Sequence, residues 1–170
     1  DIGIYPELKA PAFHKQNGQD IAAKFFEEIK VYADYKQGKN LILQCFDPIT
    51  LKHIRKKYKP RFPLVQLVAD DRWKESSANY FEMMGDKGLA KVKRYSDGLG
   101  FWLNHVIDPK TGKSTGLIER AKKLGFTVHV YTMRKDSFPK SFVSFKDLHE
   151  RVLYELGADG VFSDFPDLSK

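Results

Sequence analysis

The chain has 170 residues, 42% of them hydrophobic and 14% aromatic, which is enough to bury one domain's core and argues against a disordered segment. No apolar run approaches the roughly 20 residues of a membrane-spanning helix, and the start at Asp1 shows neither an initiator Met nor a signal-like stretch, so the chain reads as soluble and as processed or excised. A net charge of +7 favours anionic partners in a general way, while the single cysteine, Cys45, excludes an internal disulfide, and no Cys and His spacing suggests zinc.

Taken in chain order, Ile2–Leu8 is the first of six expected strands. Residues Gly18–Ala33, with Ile21, Phe25, Ile29 and Tyr32 on one side, predict an amphipathic helix. After the strand Leu41–Phe46, Asp47 and Pro48 read as the N-cap and first residue of a helix whose Leu51, Ile54 and Tyr58 share a face. Arg55, Lys56, Lys57 and Lys59 close it. The strand Pro63–Ala69 leads into a less regular stretch, Asp70–Asp86, and then a helix around Leu89–Tyr95.

Gly98–Trp102 and Thr127–Met133 are the fourth and fifth strands. Between them Lys122 and Lys123 end a helix that Gly125 stops. Ser144 with Asp147 resembles a capping box, Gly157 ends that helix, and Gly160–Ser163 is the sixth strand. The basic clusters lie late in predicted helices, where they complement the macrodipole and face water. They are not interleaved with aromatics as a nucleic-acid surface would be.

Strand and helix alternate throughout, which implies an α/β fold on a parallel sheet, either doubly wound or a (β/α)8 TIM barrel. The repeat is about 31 residues, as expected when roughly 250 residues are shared among eight units. A six-stranded doubly wound sheet fits the same counts. No Gly-rich dinucleotide fingerprint follows any strand, and polar groups cluster at strand C-termini instead, at Tyr5-Pro6-Glu7, Gln44-Cys45-Phe46-Asp47 and Ser163-Asp164-Phe165-Pro166. This favours the barrel, with residues 1–170 as a single domain holding about six of the eight βα units.

On the first strand Tyr5, Glu7 and Lys9 share one side, because strand side chains alternate with period two. A carboxylate and an ammonium at the catalytic end of a barrel suit phosphodiester hydrolysis, Glu7 on a hard divalent cation and Lys9 on a phosphoryl oxygen. A buried Glu–Lys ion pair explains the spacing equally well, and no further carboxylate is evident to complete a metal site around Glu7. His129 and Tyr131 form a second same-face set on the fifth strand, with Arg134 just past its end. An imidazole there suits acid or base work, although most lone strand histidines are hydrogen-bonded core residues. Gln44, Phe46, His129 and Arg134 are the remaining candidate pocket residues, and Tyr131 suits a pocket wall.

His14 falls in a loop after the first strand, while surface placement is expected for His53, His105 and His149. Asp164 suits either ligand orientation or a turn.

The runs Gly3-Ile4-Tyr5-Pro6-Glu7-Leu8-Lys9-Ala10-Pro11, Leu43-Gln44-Cys45-Phe46-Asp47, Val128-His129-Val130-Tyr131-Thr132-Met133-Arg134 and Asp159-Gly160-Val161-Phe162-Ser163-Asp164-Phe165-Pro166-Asp167 together resemble the bacterial periplasmic glycerophosphodiester phosphodiesterases. Phe13-His14-Lys15-Gln16-Asn17-Gly18 and Leu64-Val65-Gln66-Leu67 extend the match in order along the chain. The resemblance implies a (β/α)8 barrel, here strands 3 to 8, that uses calcium or magnesium to hydrolyse glycerophosphodiesters to glycerol 3-phosphate and an alcohol. It implies that Glu7 is a metal ligand, that Lys9 lies by the phosphate and Tyr131 by the glycerol end, and that the location is periplasmic or secreted.

The family's two catalytic histidines sit in a His-Arg-Gly motif and a His-Asp pair, neither of which occurs in this sequence. The expectation is therefore no catalytic residue in this segment and an inactive isolated chain. A small-molecule glycerophosphodiester is the expected partner, with no nucleic acid and no membrane span. Two alternatives are a non-catalytic binding or assembly module needing a partner for the missing strands, and a related phospholipase D type enzyme acting on lipid headgroups.

Overall fold

Pro6 sets the character of the first segment, because proline has no backbone N–H to give. Ile4 donates to Asn40 at 2.8 Å and accepts from Ile42 at 3.1 Å, then Pro6 accepts from Gln44 at 3.0 Å and Leu8 donates to Gln44 at 3.0 Å. This is a parallel ladder with one rung missing at Pro6. The expected strand Ile2–Leu8 is accordingly two isolated parallel bridges, Ile4 to Leu41 and Glu7 to Gln44.

The computed structural model of the chain describes residues 2–32 and 37–168. Two compact units make up the chain, Asp1–Gly98 and Leu99–Lys170. In the first, α1 (Pro11–Gln16) begins on a proline. His14 is therefore helical and not in a loop, since Pro11 supplies the preset φ of a first helical residue. α2 (Ile21–Glu28) is capped by Asp20, whose carboxylate accepts the Ala23 N–H at 2.9 Å. A single 3-10 turn, Ile29–Val31, follows. Ile29 is buried as expected but Tyr32 is exposed, because the helix tightens before reaching it. Ala33, the expected end of this helix, lies outside the described residues.

β1 (Leu43–Cys45) pairs in parallel with β2 (Leu64–Val68), Leu43 against Leu64 and Cys45 against Gln66. α3 (Pro48–Lys57) connects them, with Asp47 as the cap accepting from Ile49 and Thr50 and with Leu51 and Ile54 buried. After β2 come a 3-10 turn (Asp71–Trp73), α4 (Tyr80–Met83) and α5 (Asp86–Val92). The expected helix thus starts and stops three residues early. Gly88 hid its start, being a poor helix former placed where the helix meets the carbonyls of Glu82 and Met83.

β3 (Gly98–Trp102) leads into the second unit. There α6 (Leu103–Val106) and α7 (Leu117–Lys123) precede β4 (Thr127–Met133), which pairs in parallel with β5 (Gly160–Ser163). α8 (Phe145–Glu150) is capped by Ser144, whose hydroxyl accepts the Asp147 N–H at 3.0 Å. Asp147 reaches back to the Val143 N–H at 3.2 Å, one residue beyond an ordinary capping box. Gly125 and Gly157 both take the left-handed conformation expected of helix stops. His149, expected at the surface, is buried edge-on against Phe145 at 4.6 Å between ring centroids. Phe145, His149 and Val152 recur at helical spacing and face inward together.

No helix among the described residues is long and apolar enough to cross a membrane.

Candidate functional site

The first unit gathers four of the sequence-predicted site residues. Glu7 and Gln44 are partners in the parallel bridge, so their side chains leave the sheet on the same side. Lys9 and Phe46 each stand two residues further on, and the Lys9 ammonium lies 5.4 Å from the centre of the Phe46 ring. Alternation thus places Glu7 and Lys9 together as expected, with Nζ 3.6 Å from the Glu7 Oε1.

Two oxygens in this corner are buried without any hydrogen-bond partner, Oε1 of Glu7 and Oε1 of Gln44. An unsatisfied buried acceptor costs about 1–3 kcal/mol, so two on neighbouring residues call for a positive group. Desolvation raises the Glu7 carboxyl above the usual range, Lys9 opposes that, and Glu75 adds to it.

Glu75 is the residue that sequence reasoning missed. Its Oε2 lies 3.5 Å from Lys9 Nζ. It sits in the irregular stretch after β2, where no periodicity marks a facing direction. The signal was only its place after a strand C-terminus.

A rigid layer supports these groups. Gln66, fully buried, donates to the carbonyls of Phe46 and Leu67 at 2.8 Å each and accepts from the Tyr95 hydroxyl at 2.9 Å. The Tyr80 hydroxyl donates to the Phe46 carbonyl at 3.1 Å and shares a 2.7 Å bond with Ser76. Burial pushes the Tyr80 phenol up to about 12, so it remains a donor at neutral pH. Asp47 is committed to its helix cap and to the Thr50 hydroxyl at 2.7 Å.

The remaining candidates belong to the second unit. His129 pairs with Gly160, the first residue of β5, and its ring meets Phe162 edge-on at 6.4 Å. Desolvation lowers its pKa against the opposing pull of Asp159. Tyr131 is half-buried two residues on along β4. Arg134 follows the end of β4, bonded through Nη2 to Asp136 at 2.6 Å and through Nη1 to Asp164 at 2.8 Å. Asp164 is thus tied to an arginine.

The model of the glycerophosphoryl diester phosphodiesterase family matches residues 1–168. The chain belongs to that family. Family relatives include a glycerophosphodiester phosphodiesterase of Haemophilus influenzae, 36% identical over 98% of this chain and 51% of that protein. One of Treponema pallidum is 30% identical over 98% of this chain and 52% of its own length. The chain spans about half the length of these relatives. A crystal structure from Agrobacterium tumefaciens, assigned to the glycerophosphoryl diester phosphodiesterases, superposes with a TM-score of 0.65 over 98% of this chain and 56% of that one, at 12% identity. That likeness fixes the fold as part of a (β/α)8 TIM barrel and sets aside the doubly wound alternative.

Proposed function

We propose that the whole protein hydrolyses glycerophosphodiesters to glycerol 3-phosphate and an alcohol, and that the Glu7 corner binds the phosphodiester and a divalent cation. The observation that carries this reading is the juxtaposition, at the C-terminal end of the first bridged segment, of the Lys9 ammonium with a buried Glu7 oxygen that takes no hydrogen bond, the two 3.6 Å apart. Such ends are where barrel enzymes place their chemistry.

A calcium or magnesium ion fits the donor chemistry, since Glu7 Oε1 and Gln44 Oε1 are both hard oxygen acceptors that take no hydrogen bond. Among the described residues no group of three His, Cys, Asp or Glu side chains gathers, so these two supply part of the six to eight oxygens calcium takes. When bound, the cation withdraws charge from a phosphoryl oxygen. Lys9 stabilises negative charge on another, its ammonium over the Phe46 ring and its side chain largely exposed. The acid and base come from outside these 170 residues, so the chain alone is inactive, and the whole protein works in the periplasm or outside the cell.

Glycerol 3-phosphate release from glycerophosphocholine with calcium, and again with chelator, tests this in the full-length protein. Glu7→Gln and Lys9→Met should each lower kcat by about 10²–10³. Undiminished activity in both variants, or activity indifferent to chelator, overturns the assignment.

A further inference from the structure

Lys9 Nζ is almost equidistant from two carboxylates, 3.6 Å from Glu7 and 3.5 Å from Glu75. Neither distance is a tight charge-assisted hydrogen bond, which would measure about 2.7–2.9 Å. The ammonium is therefore shared between the two and locked to neither. The Lys9 side chain is 63% exposed while that of Glu75 is only 22% exposed, so the loop carboxylate is turned inward towards the lysine.

The loop that carries Glu75 is fastened at both ends. Asp70 accepts the Arg72 N–H at 2.9 Å. Asp71 accepts the Tyr80 and Phe81 N–H groups at 2.7 and 3.2 Å. Ser76, next to Glu75, bonds the Tyr80 hydroxyl, which in turn donates to the Phe46 carbonyl. Phe46 is the ring over which Lys9 lies. Glu75 thus reaches Lys9 from a position set by the same residues that shape the corner.

With Glu75 absent, Glu7 would be the ammonium's one carboxylate partner among the described residues, and Lys9 would close onto the oxygen that now has no hydrogen bond. We propose that Glu75 is a positioning residue that holds Lys9 off Glu7, leaving Glu7 open to a cation and Lys9 open to the phosphate. This rests on the reading of Glu7 and Lys9 as cation and phosphate ligands. The alternative is that Glu75 merely closes its loop, and coupling to Lys9 separates the two.

The experiment uses the full-length protein, with calcium affinity measured by calorimetry without substrate and kcat and KM measured with glycerophosphocholine. Glu75→Gln should weaken calcium binding roughly tenfold, and the same change in a Lys9→Met background should cost no more than about twofold, the signature of two coupled residues. Glu75→Asp should recover part of the loss. Tyr80→Phe, which leaves every charge in place but releases the loop, should shift calcium affinity in the same direction and keeps the test open should Glu75→Gln fold poorly. Equal losses with and without Lys9, or an unchanged affinity in Glu75→Gln, overturn the proposal. A wild-type protein that neither binds calcium nor releases glycerol 3-phosphate defeats the underlying reading instead, and is recognised before any variant is made.

Discussion

Asp159 holds Val128 by both of its backbone polar groups, accepting the Val128 N–H on Oδ2 at 2.8 Å and donating its own N–H to the Val128 carbonyl at 2.8 Å. Asp97 does the same for Leu64, at 2.8 and 2.9 Å. Each aspartate precedes a glycine that opens the next strand, and each is paired with a basic residue of the helix that leads into the strand it clamps, Lys122 or Arg55. The Asp-Gly pairs are thus fasteners at strand beginnings. Their recurrence repeats one βα design in both units.

Replacing Asp159 with Ala should cost about 1–2 kcal/mol, the worth of a hydrogen bond to a half-exposed charged acceptor. Burial pulls its pKa up, but the Lys122 and Val128 bonds outweigh that and leave it lowered. Stability from this group is therefore fully present above the unfolded carboxylate value of about 3.9 and lost as pH falls through the lower folded one. Urea unfolding at neutral and acid pH checks this. Asp159→Asn should lose less on acidification than the wild type, and equal losses would show that the clamp owes nothing to ionisation.

Gln44 is 8% exposed and its Oε1 has no partner, so it lowers stability for whatever it binds. Gln44→Leu should raise the unfolding free energy by about 1 kcal/mol, because an unsatisfied buried acceptor is removed at similar volume. Calcium affinity should fall in the same variant. A gain in stability with no loss of affinity would make Gln44 a site residue in position only.

Cys45 is fully buried, its thiol donating to the Leu8 carbonyl at 3.2 Å and accepting the Asp47 N–H at 3.3 Å. Burial pushes that thiol up to about 12. Since the thiolate is the reactive form, the native protein should not react with a thiol-specific reagent at pH 8, whereas the unfolded protein should react promptly. Prompt labelling of the native form would contradict the burial.

Gly88 lies within α5, where alanine would ordinarily add about 1 kcal/mol of helix stability. Here an added Cβ would meet the carbonyl oxygens of Glu82 and Met83 below any tolerated approach. Gly88→Ala should therefore destabilise by about 2–3 kcal/mol, as overpacking does. A stabilised variant would show that α4 gives way easily.

Features fixed by neighbours in sequence were legible in advance. Asp47 and Ser144 act through bonds reaching three residues or fewer, Gly157 acts through its own left-handed backbone, and the period of two put Glu7 beside Lys9. Glu75 was not legible, because a loop has no period and its direction is decided by Asp71, Ser76 and Tyr80 acting together. His149 was misjudged by treating a polar side chain as a surface one, although its spacing from Phe145 and Val152 places it inward. The missing rung at Pro6 was readable from a single residue type, yet it shows only once the partner strand is known.

That missing rung has a consequence for motion. With no donor at Pro6, the segment bearing Glu7 is held in its middle by the Pro6 carbonyl alone, and its two backbone donors to the neighbouring segment stand apart, at Ile4 and at Leu8. Ile4 is 39% exposed and Leu8 only 6%. Isotope exchange should see them as independent, the Ile4 amide trading its proton quickly and the Leu8 amide slowly. Glu7 and Lys9 flank the slow one, so the outer end can fray while the two charged side chains keep their places.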